Sequence, residues 1–232
     1  MSLPKLTAPI FTIEMPSNKK SVKFRPFTVK EEKLLLLASE SEDVKFINDT
    51  ITQVLNNCFI DDIDIGILAT FDVEYLFIQL RAKSVNNIVK IRFKDDNDKA
   101  YSQDIDLEDV KVHFDPNHTN KIQLNDEVSM VMKYPSFGMI EKMSTDDNKE
   151  LVGVISACVE KVYTAEEVMD LSDYTQEEVT TFIESFTSKN MRDIEAFFNS
   201  LPKLKLDIIY KDEDTGVMTK REVSGLQSFF TS

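Results

Sequence analysis

Three stretches of the chain gather carboxylates densely enough to hold a cation or share a proton: Asp61, Asp62 and Asp64; Asp95, Asp96 and Asp98; and Asp212, Glu213 and Asp214. A calcium loop needs oxygen donors at its first, third and fifth positions, glycine at the sixth and glutamate at the twelfth. Counted from Asp95, the sixth residue is Ala100 and the twelfth Asp106; counted from Asp212, Gly216 falls fifth and Val223 twelfth. Both loops therefore read as solvated hairpin turns. Zinc would need Cys or His partners that the surroundings of His113 and His118, the only histidines, do not supply. Cys58 and Cys158, the only cysteines, lie in apolar helical patterns, where a small buried thiol is expected and a disulfide is not. Adjacent carboxylates such as Asp61 and Asp62 do not converge on a substrate as a general acid and base must. No nucleophile elbow, zinc-protease helix or phosphate loop is present, and the chain has five glycines in all. No catalytic, cofactor-binding or metal site is expected. The Asp61, Asp62 and Asp64 turn is instead a candidate for partner capture, whose reversal to lysine is expected to weaken binding more than folding.

Elements must hold these turns in place. Residues 10–15 and 21–25 have β-type composition around Pro16, Ser17 and Asn18, which predicts an N-terminal hairpin. Thr28 and Glu31 make a capping box that opens a helix over about residues 29–39. Its four consecutive leucines, Leu34 to Leu37, predict a helix covered on several sides and central to packing, with the lesser alternative that part of the face meets a partner protein; where the residue is interior, Leu35→Asp or Leu36→Asp should unfold the chain. Ile47, Ile51, Val54, Leu55 and Cys58 mark a second amphipathic helix, ending near Asn56 and Asn57. Thr70 is expected to cap a third, with Val73, Leu76, Phe77 and Leu80 on one face. From Ile88 the period changes to two, giving strands at 88–94 and 101–105 around the Asp95 loop. Shorter β runs at 110–114, 122–124 and 127–134 complete a small antiparallel unit.

After about residue 145 the pattern is helical again. Leu151, Val154, Ile155, Cys158, Val159 and Val162 form one stripe, and a shorter helix is expected near residues 165–169. A Thr175 and Glu178 capping box precedes Val179, Phe182, Ile183 and Phe186; Met191, Ile194, Phe197 and Phe198 follow, up to Pro202. The tail repeats the earlier hairpin grammar, with Tyr210-Lys211-Asp212-Glu213-Asp214 echoing Phe93-Lys94-Asp95-Asp96-Asn97, an echo short enough to arise by chance. The expected fold is α+β, small antiparallel sheets and hairpins packed with about six to seven helices. Its expected regions are an α+β part over 1–135, a helical part over 136–202, and a C-terminal hairpin over 203–232 that packs back on the body.

Across 232 residues, 41 acidic against 27 basic side chains leave a net charge of −14, which repels phosphate backbones and anionic membranes and suits a partner with a basic face. Nucleic acid is not an expected partner. At 42% hydrophobic residues the chain has enough apolar surface to form a core. No apolar run approaches the roughly 18 residues that cross a bilayer, and no basic-then-apolar leader opens the chain, so a soluble protein without membrane insertion is expected.

Residues 24–37, from Phe24-Arg25-Pro26-Phe27-Thr28 through the leucines, and residues 71–84, from Phe71-Asp72-Val73-Glu74-Tyr75, are specific in combination. With the opening Ser2-Leu3-Pro4-Lys5-Leu6, the stretch at 104–110 and the closing 223–230, they resemble the baseplate hub assembly proteins of T4-like contractile-tailed bacteriophages. The resemblance implies a non-enzymatic late protein that helps build the central baseplate hub in the host cytoplasm through contacts with other phage hub proteins. It leaves open whether the protein departs as a chaperone or stays in the virion tail baseplate, and its oligomeric state. Beside the acidic turn, it makes Phe24, Arg25, Phe27, Phe229 and Phe230 candidate partner-binding residues. Relatives often carry Cys-x-x-Cys pairs in the hairpin loops, where a metal would staple small sheets. This chain has Lys, Asp and Glu there, so a family metal does not transfer to it. The rival reading is a tail-associated hydrolase acting on the host cell wall, which would need carboxylates or a metal converging in one cleft.

Overall fold

Helices here begin where a threonine and a side chain three residues on satisfy the first free amides. Thr28 with Glu31, Thr175 with Glu178 and Thr187 with Asn190 all form such boxes. The computed structural model describes residues 6–41, 43–95, 98–139, 151–213 and 215–225. In chain order its first half contains β1 (Phe11–Glu14), β2 (Ser21–Phe24), α1 (Val29–Ser39), α2 (Val44–Cys58), α3 (Thr70–Ser84), β3 (Ile88–Lys94), β4 (Ala100–Asp106) and β5 (Lys111–His113). There follow β6 (Lys121–Gln123), β7 (Ser129–Met132), α4 (Leu151–Cys158), β8 (Val159–Tyr163), β9 (Val168–Met169), α5 (Gln176–Glu184), α6 (Ser188–Asn199), β10 (Lys203–Lys211) and β11 (Met218–Ser224). The fold is α+β, and every strand pair among the described residues is antiparallel. The chain divides into two compact units, residues 1–113 with 203–232, and residues 114–202.

In the first unit β1 pairs with β2, β3 with β4, and β10 lies between β11 and β5. Its centre is α3. Phe71, Val73, Leu76, Phe77, Ile78 and Leu80 are each at most 4% exposed, and the helix packs against α2, β5, β10 and the short helical turn Leu107–Asp109. Each such side chain contributes about 2 kcal/mol on burial. The leucine-rich α1 is not the centre that its sequence predicts: only Glu31 and Ala38 are buried, Leu34 and Leu35 are half-buried, and Leu36 and Leu37 are 61% and 57% exposed. The longer α3 is buried on nearly every side and takes the middle, leaving α1 to rest against α2. Thr70 is not the α3 cap either; the helix starts from extended Ala69, and Asp72 in its first turn accepts the Ser17 amide from the β1–β2 turn at 3.0 Å.

The two hairpins whose sequences echo each other lie in contact. Phe93 and Tyr210, the equivalent aromatic positions, meet edge-on with ring centroids 5.0 Å apart, and Tyr101 joins both at 5.7 and 4.7 Å. Arg221 lies over the Phe93 ring, and Lys99 pairs with Glu213 at 3.3 Å.

In the second unit the sheet order is β6-β7-β8-β9, and Ile122, Met130, Ile155, Cys158, Val162, Ile183, Ile194 and Phe197 form its core with α4, α5 and α6. The helical stripe expected to run through Val162 breaks at Cys158, and residues 159–163 form β8. The helix expected near 165–169 is a turn and the short β9. The open side of β7 is the reason: its backbone groups find partners in β8, and the Lys133 amide donates to the Cys158 carbonyl at 2.7 Å where helix passes into strand. The strands at 121–123 and 129–132 thus share a core with the helices that follow them.

Candidate interaction surface

Of the candidate residues, Phe24 and Arg25 make contacts within the chain. Phe24 is 2% exposed, its ring 5.7 Å from Phe11 and 5.5 Å from Phe59, because β2 alternates outward and inward and the chain after α2 bridges back to it. Arg25 joins three segments: its guanidinium donates to Glu31 Oε1 at 3.1 Å, to the Asn57 carbonyl at 2.9 Å and to the Pro26 carbonyl at 2.9 Å. Glu31 in turn accepts the Thr28 amide and hydroxyl at 2.8 and 2.6 Å. Burial alone would raise the Glu31 pKa, but the Thr28 and Arg25 hydrogen bonds outweigh it and hold the group down at about 2. Phe27 is half-buried, and its amide donates to the Ser84 hydroxyl at the end of α3 at 2.9 Å. The start of α1 is therefore tied to β2, α2 and α3. Phe229 and Phe230 lie outside the described residues.

The acidic turn lies on the surface, with all three carboxylates exposed. Two of them also hold backbone amides: Asp61 accepts from Lys23 at 2.6 Å, and Asp64 caps the short helical turn Ile65–Ile67 through Gly66 at 2.9 Å. Reversing all three would disturb local structure as well as charge, whereas Asp62 offers its charge from an exposed apex. Ile60 and Ile67 beside the turn are 53% and 73% exposed.

The apolar surface for which sequence reasoning preferred the core to a partner-facing role lies on α1. Val29, Lys33, Leu36, Leu37 and Glu40 follow one another at helical spacing, and all are exposed. Val29 is 64% exposed, and the first turn of α2 adds Val44 and Phe46 at 43% and 41%. The available signal was the length of α1: a helix of 11 residues whose main packing partner is α2 cannot cover four consecutive leucines.

The nucleophilic and imidazole groups sit in packing positions. Cys58 and Cys158 are free, buried, and raised by that burial to about 11. The Ser200 hydroxyl donates to the Ala196 carbonyl at 2.7 Å and so accepts from His118 Nδ1 at 2.9 Å, while the His118 ring lies against Tyr134 and Phe197. Among the described residues no group of three or more His, Cys, Asp and Glu side chains is placed to hold a metal, and no helix is long and apolar enough to cross a membrane.

A family model described as T4 bacteriophage base plate protein matches residues 8–231, nearly the whole chain. No curated protein and no solved structure matches.

Proposed function

The chain belongs to the T4 bacteriophage base plate protein family, and from that premise we propose that it is a non-enzymatic protein of the central baseplate hub, needed for hub assembly and acting through contacts with other hub proteins. The observation that carries this reading is the outward face of α1, where Leu36 and Leu37 are 61% and 57% exposed on a helix whose first turn is clamped by Arg25, Thr28 and Glu31. Apolar side chains held out on a fixed helix lose little conformational freedom on docking, so most of their burial counts toward affinity. The net charge of −14 supports a chaperone-like role, in which the protein shields a basic hub surface in the host cytoplasm before the hub takes its place in the virion tail baseplate.

Capture from extracts of infected cells tests the proposal. Immobilised wild-type chain is expected to retain hub proteins, and the folded Leu36→Asp/Leu37→Asp variant to lose them. Equal retention by the two, or hydrolysis of cell-wall polymer abolished by changing one cleft residue, would overturn it.

A further inference from the structure

The second unit contains an apolar pocket of about 250 Å³ between the β8–β9 turn and α5, lined by Val162, Met169, Leu171, Tyr174, Val179 and Phe182. Tyr174, 41% exposed, opens it to solvent, and Val168 beside it is 55% exposed. The volume is below the 300 Å³ or so at which pockets begin to suit drug-sized or cofactor-sized ligands, and an apolar pocket of this kind can hold an anchoring side chain of a protein partner.

Charge around the pocket is mainly acidic, although Lys161 and Lys133 lie close enough to act on Asp170. Residues 160–184, which contain every lining side chain, hold eight acidic groups and one basic group, Lys161. Glu178 completes the lining, while Asp173 and Glu177 are exposed close by on the chain. Hydrogen bonds from Ser172 to Asp170, and from Thr175 to Glu178, hold both carboxyls below their usual range, so they remain ionised at neutral pH. Across residues 114–202 the same bias persists, with 17 acidic against 7 basic side chains, so most of the net charge of the chain lies in this unit.

We infer that this pocket is a docking site for a basic segment of a partner protein, which inserts one or two bulky apolar side chains between Tyr174 and Phe182 while flanking lysines or arginines meet the surrounding carboxylates. An apolar anchor ringed by opposite charge gives both a residence time and a steered encounter, and it rejects nucleic acid and acidic peptides. The site shares no residue with α1.

The test uses the full chain with methyl-labelled methionines and a short peptide in which lysines flank a central Phe-Leu pair. Saturable binding that shifts the Met169 methyl and leaves that of Met218 in place supports the site. Replacing the central pair by alanines, or introducing Asp173→Lys/Glu177→Lys into the protein, should each weaken binding by about tenfold or more. Both substituted positions are exposed, and the spectrum reports directly whether the variant folds. Affinity indifferent to the central pair would mean charge adsorption only and would overturn the inference. So would an unmoved Met169 methyl, equal binding of an uncharged Phe-Leu peptide, or occupation of the pocket by a second copy of the chain.

Discussion

Glu31 joins burial, capping and ion pairing in one carboxylate. Its folded pKa of about 2 is below the ordinary 4.5, so its stabilisation is fully present above about pH 4.5 and is lost as pH falls through about 2. Glu31→Gln is expected to destabilise the chain by about 2 kcal/mol at neutral pH, a charged hydrogen-bonded group being exchanged for a neutral one. Urea titrations across that acid window should show the gap to wild type closing. Cys58 and Cys158, raised to about 11 by burial, predict the opposite of a reactive thiol: labelling by an aromatic disulfide reagent should be negligible in the native protein and complete on unfolding. Labelling at native rates comparable to free cysteine would show that one of them is accessible. On the acidic turn, Asp62→Lys isolates charge from structure, because Asp61 and Asp64 hold amides and Asp62 sits at an exposed apex. It should leave the melting temperature unchanged and weaken capture of hub proteins, and a loss of stability without loss of capture would reverse that assignment.

Among the elements, α1 and α3 exchange the roles that their sequences imply. Leu36→Asp/Leu37→Asp should stay folded, with a stability change of about 0.5 kcal/mol or less per exposed site, whereas Leu76→Asp places an unpaired charge in a position with 0% exposure and should unfold the first unit. Circular dichroism melts of the three chains decide it. The hairpin contact makes a second prediction: a double-mutant cycle on Phe93→Ala and Tyr210→Ala should return a coupling of about 1 kcal/mol, and additivity would mean the rings contribute area alone. Much of this level was legible in the chain. The Thr28 and Thr175 boxes start their helices where the Thr-x-x-Glu spacing requires, and the alternation at 88–94 and 204–210 forms β3 and β10. The Thr187 box was not, because Asn190 stands where glutamate usually signals it. Cys158, Val159 and Val162 fit a helical period as well as a strand, and only the free edge of β7, a partner distant in sequence, selects β8. Which leucines face solvent depends likewise on what else competes for the centre. The candidate surface was therefore the least legible part: the α1 stripe reads as core, and Phe24 reads as surface.

For the molecule as a whole, family membership and charge act together. A chain at −14 with most of its excess in residues 114–202 approaches a basic partner faster than a neutral one, and screening over a Debye length of about 8 Å at physiological salt should erase much of that advantage. Association rates with captured hub proteins should therefore fall steeply as salt rises while dissociation rates change little; salt-independent association would remove the electrostatic part of the account. Whether the protein leaves or remains is read from mass spectrometry of mature particles beside assembly intermediates, and a chaperone-like role predicts its presence in the intermediates alone. The claim on which the account turns is that α1 makes the contacts by which the hub is built. The measurement that reaches it is electron microscopy of complete baseplates from infections in which the phage copy is deleted and the chain is supplied in trans. Folded Leu36→Asp/Leu37→Asp should yield about tenfold fewer baseplates than wild type or worse, and wild-type numbers of baseplates from that variant would contradict it.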